Sequence, residues 1–241
     1  MGSSRYPGKP LVKLAGLPMV EHVRRRSLLA KGIDRVLVAT CDKEISEAVK
    51  FMGGQVVMTS SRHERCSERV AEAAKGAPEA IIVNVQGDEP LMHPEHVEKV
   101  IEPFQDPSVG VVSLLSPIRE EEDLRSPAVV KAVCRVNQDL LFYTRSPIPH
   151  FVKRSDCRIY RETGIRAFRA EVLQQYANLP ETPLEKTEAV DMLRFLEHGI
   201  PVRAAVVDEV TSGVDFPEDV TPTELKLAAD PVQKTLLQKY L

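Results

Sequence analysis

The 241-residue chain contains no tryptophan, aromatic side chains make up only 5% of it, and its four cysteines are widely separated. These cysteines show no CxxC or Cys/His spacing, so the sequence indicates neither a zinc knuckle nor a disulfide framework, and reduced cytoplasmic thiols are expected. No apolar stretch approaches about 18 residues and the N-terminus has no apolar signal core, so neither a membrane span nor classical secretion is predicted.

An excess of positive charge is also missing, because 32 Lys and Arg residues face 35 Asp and Glu residues and the net charge is −3. We therefore expect no nucleic-acid partner, and any phosphate binding must come from a local cluster of cations. With 43% hydrophobic and 28% charged residues, the composition is typical of a globular protein with one domain, or one domain and a small lobe.

Several well-known catalytic motifs are absent. The chain has no GxxxxGK[ST] or GxGxxG sequence, which disfavours a P-loop nucleotide hydrolase and a Rossmann dehydrogenase. The six histidines have no HExxH spacing and no GxSxG motif occurs, so the sequence predicts neither a zinc hydrolase nor a serine nucleophile.

Short apolar runs alternate with amphipathic helical patterns in the first half of the chain. The runs RVLVAT, QVVMT and AIIVNV predict strands, while the segments between them predict helices, one of which begins near a serine cap in SERVAEAAKG. The RRR run at 24–26 predicts a solvated helix face. Further on, VGVVSLLSPI and PVRAAVVDEV predict strands, and TPLEKTEAVDMLRFLEHG predicts one helix. This alternation indicates an α/β fold with parallel strands joined by helices.

Two aspartates follow predicted strands and form the main candidate site. Asp88 lies in NVQGDEP and Asp215 lies in SGVDFPEDV, where Gly213 permits a close approach of the backbone. Ligands of open α/β sheets bind beyond the carboxyl ends of strands, and Mg²⁺ prefers carboxylate oxygens together with substrate phosphates. Each aspartate alone is more typical of a turn than of a catalytic site, but the pair predicts a magnesium and phosphate site.

The opening stretch MGSSRYPGKPL carries the opposite charge. Arg5 and Lys9 flank a Pro-Gly pair, and the backbone amides of Gly2, Ser3 and Ser4 are suited to an anion. We expect this stretch to bind phosphate.

In the order and content of its motifs, the chain resembles the 3-deoxy-manno-octulosonate cytidylyltransferase family. The resemblance extends from residue 2 to about residue 220 and includes GSSRYPGKPLVKLAGLPMVEHV, IIVNVQGDEPLM, FYTRSPIP and GVDFPEDV. It implies a nucleotide-diphospho-sugar transferase-like (Rossmann-like) fold, in which helices flank a parallel or mixed sheet. It also implies one domain over residues 1–241, with a β-rich dimerisation and acceptor segment at about 125–170, and a cytoplasmic homodimer.

The resemblance further implies a reaction and a set of site residues. Members transfer CMP from CTP to a sugar acid, usually 3-deoxy-manno-octulosonate (Kdo), and release pyrophosphate. The reaction uses Mg²⁺. By this resemblance Arg5, Lys9 and Asp88 are catalytic, and Asp88 and Asp215 bind the metal. The nucleotide would contact residues of the first loop and of the SERVAE stretch, namely Gly2, Ser3, Ser4, Arg5, Lys9, Ser67 and Arg69.

The acceptor side departs from the family pattern. Gln86 and Arg145 stand where the family contacts the sugar acid, but Glu162 replaces a histidine, Arg166 a tyrosine, and Asp191 with Met192 a Glu-Gln pair. A site that recognises hydroxyl groups by hydrogen bonds discriminates strongly when those partners change. Kdo is the first expectation. A modified Kdo such as 8-amino-Kdo, another sugar acid, or a phosphonate paired with Arg166 is the alternative.

One further expectation concerns the N-terminus. The family has a strand of about ten residues before GSSR that belongs to the centre of the sheet. We therefore expect the start at Met1 to be misplaced or trimmed. A catalytically weak nucleotide-binding homologue is the third hypothesis.

Overall fold

The computed structural model describes residues 6–153, 157–208 and 213–240. The strands are β1 Lys13–Leu14, β2 Leu17–Pro18, β3 Leu37–Thr40, β4 Gln55–Met58, β5 Ile81–Val85, β6 Val111–Pro117, β7 Lys131–Cys134, β8 Leu140–Thr144, β9 Tyr160–Arg169 and β10 Arg203–Val206. The α-helices are α1 Met19–Ser27, α2 Lys43–Phe51, α3 Cys66–Ala73, α4 Pro94–Ile101, α5 Glu121–Arg125, α6 Ala170–Asn178, α7 Pro183–Glu188, α8 Met192–Glu197, α9 Val220–Ala229 and α10 Pro231–Tyr240. Short 3₁₀ turns span Lys9–Leu11, Glu102–Gln105 and Pro217–Asp219.

The chain forms two compact units. The first unit contains the described residues of Met1–His63, Val85–Glu98 and Thr211–Leu241, and the second contains those of Glu64–Asn84 and Lys99–Val210. Strands β7, β8 and β9 fall within the segment 125–170 that was predicted to be β-rich. The assignment of one domain with a dimerisation segment stays a prediction.

In the first unit, β3 and β4 pair in parallel and α2 connects them. Helix α2 turns Ile45 and Val49 inward, where they pack with Val20 of α1. The helix is followed by Gly53, whose positive φ of 74° lets the chain reverse direction. The expectation of parallel strands joined by a helix is confirmed here.

The prediction that the RRR run is solvated is wrong. Arg24, Arg25 and Arg26 are all buried on α1. The buried carboxylate of Glu21 accepts hydrogen bonds from Arg24 and Arg25, at 2.7 and 3.0 Å. Arg26 forms an ion pair of 2.6 Å with Asp230, which precedes α10. Burial of these guanidinium groups depends on acidic partners, because an unpaired buried charge is costly.

In the second unit a six-stranded mixed sheet has the order β10, β6, β9, β7, β8, with β5 also paired to β9. Strand β10 runs parallel to β6, whereas β9 runs antiparallel to β6 and β7. The sheet curls, so that Leu140 at the start of β8 donates its amide to Val202 O at 2.8 Å beside β10. The Arg203 side chain adds a bond of 2.7 Å to Asp139.

The second unit also has its own hydrophobic core. Six of the seven residues of β6 are buried, as is usual for a strand covered on both faces. Tyr176 of α6 stacks on Phe195 of α8 with ring centroids 4.7 Å apart, and Phe195 also stacks on Phe168 of β9. These aromatic contacts hold α6 and α8 against the sheet.

The single helix predicted over residues 182–199 is wrong, because the structure contains two helices there, α7 and α8. The break begins at Ala189, which adopts a left-handed conformation with φ 53° and ψ 45°. It allows Glu188 to accept a bond from Thr144 while Asp191 accepts one from Ser67. Tertiary hydrogen bonds therefore override the helical pattern of the sequence.

None of the helices formed by residues 6–153, 157–208 and 213–240 is both long and apolar enough to cross a membrane.

Candidate active site

Lys9 is positioned by a tight turn in the first unit. Gly8, just before this turn, has a φ of 76°, a left-handed conformation that glycine adopts without strain. The amide of Leu11 donates to Gly8 O at 2.9 Å, and that of Val12 donates to Lys9 O at 3.1 Å. These bonds fix the backbone of Lys9, whose side chain is buried to about nine tenths.

Asp88 and Asp215 reach the same place from two distant segments of this unit. Asp88 follows β5, and its carbonyl oxygen accepts a bond from the amide of Val214 at 3.0 Å. A Cβ atom on Gly213 would lie only 3.0 Å from that oxygen, so glycine favours the close approach. Beyond it, Asp219 accepts bonds of 2.8 Å from the amides of Asp215 and Phe216.

The Lys9 ammonium group lies between the two carboxylates, and we call these three residues the Lys9 cluster. Its Nζ atom lies 2.6 Å from Asp88 Oδ2 and 3.3 Å from Asp215 Oδ1. The side chains of the aspartates are 29% and 42% exposed, so the cluster is open to solvent. The three residues that the sequence predicts to work together are thus in contact.

Other predicted residues of the first unit are less informative. Gly2, Ser3, Ser4 and Arg5 lie outside the described residues. Gln86 is half-buried in the turn after β5, where its carbonyl accepts the amide of Glu89 at 3.2 Å.

A second group of charges, which we call the Arg166 cluster, is buried in the second unit. Arg166 on β9 donates from Nε to Glu162 Oε1 at 2.6 Å and from Nη1 to Asp191 Oδ1 at 2.7 Å. Glu162 and Arg166 are four residues apart on one strand, and Asp191 comes from the break before α8. The side chains of Arg166, Glu162 and Asp191 are only 4%, 8% and 7% exposed.

Ser67 completes the environment of Asp191. Its hydroxyl donates to Asp191 Oδ2 at 2.7 Å and its amide donates to the same oxygen at 3.2 Å. Burial alone would raise the pKa of Asp191, but the charge of Arg166 and the two bonds from Ser67 outweigh it and lower that pKa below its usual value. Asp191 is therefore a stable carboxylate inside the unit.

Ser67 lies in the first turn of α3, whose N-cap is Arg65, so the predicted serine cap is displaced by two residues. Arg69, on the same helix, is half-buried. The Ser67 contact to Asp191 brings a residue assigned to the nucleotide together with one assigned to the acceptor.

Arg145 makes hydrogen bonds with partners outside the Arg166 cluster. Its guanidinium group donates to Glu188 O at 2.8 Å and to Pro127 O at 2.9 Å. Beneath it, the buried ammonium of Lys131 donates to three carbonyls, those of Ser126, Val129 and Arg145, at 2.6 to 3.1 Å. Burial lowers the pKa of Lys131.

Sequence reasoning did not identify Lys131 or the buried pair of Arg194 and Glu185. Arg194 donates to both carboxylate oxygens of Glu185 at 2.7 Å. A lysine within the apolar run AVVKAVC was an available signal of the first. For the pair of Arg194 and Glu185, the only signal was the spacing of the two residues within a helical pattern.

The two clusters contain carboxylates and cations but little else that binds metal. Among the residues that the structure describes, no three His, Cys, Asp or Glu side chains come together as a metal site. A metal at Asp88 and Asp215 would therefore need ligands from substrate or water, as Mg²⁺ sites in phosphate enzymes usually do.

Comparison with known proteins identifies the family of the chain. The cytidylyltransferase family matches residues 1–205 of the chain. The chain belongs to the cytidylyltransferase family. Its members include a 3-deoxy-manno-octulosonate cytidylyltransferase of Myxococcus xanthus (strain DK1622), which is 45% identical over 94% of this chain and 93% of that protein.

Two other proteins extend the comparison of this cytidylyltransferase. The 8-amino-3,8-dideoxy-manno-octulosonate cytidylyltransferase of Shewanella piezotolerans (strain WP3 / JCM 13877) is 38% identical over 95% of this chain and 96% of that protein. A solved structure of CMP:2-keto-3-deoxy-manno-octonic acid synthetase complexed with CTP is 37% identical, with a TM-score of 0.89 over 95% of each chain. The expectation of a nucleotidyltransferase fold with a mixed α/β sheet is thus confirmed.

Proposed function

We propose that this cytidylyltransferase transfers CMP from CTP to a 2-keto-3-deoxy sugar acid, with Kdo as the first candidate, and releases pyrophosphate. In this reaction an acceptor hydroxyl forms a bond to the α-phosphorus, and the bond from that phosphorus to the pyrophosphate oxygen breaks. The observation that carries the proposal is the Lys9 cluster, where two carboxylates and an ammonium group from three segments meet.

The Lys9 cluster fits a divalent cation. Both aspartate carboxylates already bind one cationic group, the ammonium of Lys9, and carboxylate oxygens are the donors that Mg²⁺ prefers. We propose that Asp88 and Asp215 hold Mg²⁺, which when bound neutralises negative charge on the phosphates. Lys9, together with Arg5, would bind the triphosphate and orient the α-phosphorus for attack.

The Arg166 cluster bears on the acceptor, because the family resemblance assigns its three residues to the sugar acid. One guanidinium cation and two carboxylates leave it with a net charge of −1. Both carboxylates are already bound to Arg166, so a phosphonate or carboxylate of the acceptor would have to compete with them. This arrangement does not favour an anionic group at this point.

A second candidate acceptor follows from that charge. Glu162 receives both bonds from Arg166 on Oε1, and its Oε2 accepts no hydrogen bond from the described residues. An acceptor that carries an ammonium group, such as an 8-amino-Kdo, would supply the missing donor. The Shewanella relative is named for that substrate.

We also propose a homodimer that uses the segment 125–170, and a cytoplasmic location.

The proposal is tested by incubating the protein with CTP, Mg²⁺ and one acceptor at a time from a panel of Kdo, 8-amino-Kdo, other sugar acids and phosphonates. We expect pyrophosphate and the matching CMP-sugar in equal amounts by mass spectrometry, and no pyrophosphate without acceptor. Calorimetric CTP binding with no product from any acceptor would contradict the proposal and indicate a catalytically weak nucleotide-binding homologue.

A further inference from the structure

Lys9 contributes a positive charge that faces both Asp88 and Asp215. Among the described residues its ammonium group contacts these two carboxylates, at 2.6 and 3.3 Å. The contact joins residues that are 79 and 206 positions apart in the sequence, so it forms only when the first unit folds.

Two carboxylates that converge on one point repel each other unless a cation lies between them. The ammonium group lies there in this structure, in contact with both carboxylates that the proposed function assigns to a divalent metal. A lysine ammonium and a metal ion cannot occupy one position together. Binding of one must therefore weaken binding of the other.

The surrounding structure allows this exchange. The backbone of Lys9 is fixed by the turn after Gly8, whereas its side chain is a flexible four-carbon stem that ends in a point charge. The carboxylates are partly exposed, so a solvated ion can reach them without opening the core.

We infer that Lys9 is a built-in counter-ion that holds Asp88 and Asp215 together in the unloaded protein and leaves them when a divalent cation enters. The released ammonium group then faces the anionic phosphates of the nucleotide. One lysine thus has two successive partners, and loading with metal and loading with nucleotide are coupled through it. This inference rests on the metal site of the proposed function.

The direct test is Mn²⁺ binding to nucleotide-free protein, measured by electron paramagnetic resonance of the free ion. In Lys9→Met the competing charge is gone while most of the stem remains, so we expect roughly fivefold tighter binding, the factor expected for one partly exposed ion pair. Lys50→Met is the matched control, because Lys50 is an exposed lysine of the same unit, and should leave the affinity unchanged. Asp88→Asn should weaken binding.

The outcomes separate the two proposals. If Asp88→Asn does not weaken Mn²⁺ binding, the metal site in the proposed function is wrong. If Asp88→Asn weakens binding but Lys9→Met leaves it unchanged or weaker, the metal site stands and the counter-ion role of Lys9 is wrong.

A measurement on the unmodified protein covers the case in which Lys9→Met does not fold. Lysine side chains are acetylated with a water-soluble N-hydroxysuccinimide ester, and the rate at Lys9 is followed by peptide mass spectrometry. We expect Mg²⁺ alone to accelerate labelling of Lys9 several-fold and to leave Lys50 unchanged. Equal rates at Lys9 with and without Mg²⁺ would overturn the inference.

Discussion

The two clusters contain the same three charges, one cation between two carboxylates, but they differ in burial and in what else they contact. In the Lys9 cluster the aspartates are 29% and 42% exposed and the cation is an ammonium group on a flexible stem. In the Arg166 cluster no side chain is more than 8% exposed, and a planar guanidinium holds both carboxylates.

The difference shows that burial gives similar ion pairs different roles. An ion pair with partly exposed carboxylates contributes little to stability and can exchange partners, which suits a site that must admit phosphates and a metal. A buried ion pair resists exchange, because removal of one partner leaves an uncompensated charge in the interior. The charges of the Arg166 cluster are therefore fixed, whereas those of the Lys9 cluster can take up phosphates and a metal.

Removal of the buried cation should have the largest effect on stability. In Arg166→Met two buried carboxylates lose their partner, and we expect a loss of about 3–5 kcal/mol in the free energy of unfolding. Urea denaturation measures it. Arg161→Met on the same strand is the control, since Arg161 has a more exposed partner in Asp123, and should cost about 1 kcal/mol or less. Equal losses in the two variants would contradict the assigned role of burial.

The variant Asp191→Asn should have the next largest effect. It keeps the shape of the side chain but removes its charge, and we expect a loss of about 1–3 kcal/mol in the free energy of unfolding. Because the pKa of Asp191 is lower in the folded than in the unfolded protein, its contribution is present above the unfolded value of about 4 and is lost as pH falls through the folded value. Melting temperatures from pH 7 down to 2 should show a shallower acid decline in the variant. Parallel declines would argue against this linkage.

Glu162→Gln tests whether the net charge of the Arg166 cluster selects the acceptor. The variant keeps the shape of the side chain but removes the negative charge, so preference for an amine-bearing over a hydroxyl-bearing sugar acid should fall roughly tenfold. The ratio of kcat/KM for the two acceptors is the measurement. Glu171→Gln, at an exposed glutamate of the same unit, should leave that ratio unchanged. An unchanged ratio in Glu162→Gln as well would remove the second candidate acceptor.

Lys9→Met should have the smallest effect on stability, about 1 kcal/mol or less, because its partners are partly exposed. Urea denaturation in the presence of a chelator, beside Lys50→Met, is the check. A loss comparable to that of Arg166→Met would show that the Lys9 cluster is a structural element and not an exchangeable one.

The sequence predicted the open cluster better than the buried one. Asp88 and Asp215 follow predicted strands, and strand ends meet at one edge of a sheet, so their convergence could be expected. The ion pair of Arg166 with Asp191 could not be predicted from the local pattern, because Asp191 lies in a helical pattern and becomes available only through the break at Ala189. Only the family resemblance placed both residues on the acceptor side. The prediction of a solvated face at Arg24–Arg26 was wrong for a related reason. The sequence does not show that Glu21 and Asp230 are buried beside these arginines.

The central claim is that the Lys9 cluster is the reaction centre, and Asp88→Asn tests it most directly. The rate of pyrophosphate release from CTP, at saturating Mg²⁺ and with the preferred acceptor, should fall at least about a hundredfold, since the carboxylate supplies charge at the phosphates. Asp34→Asn, at an exposed aspartate of the same unit, should retain the full rate. A folded Asp88→Asn protein that releases pyrophosphate as fast as the unmodified protein would contradict the account.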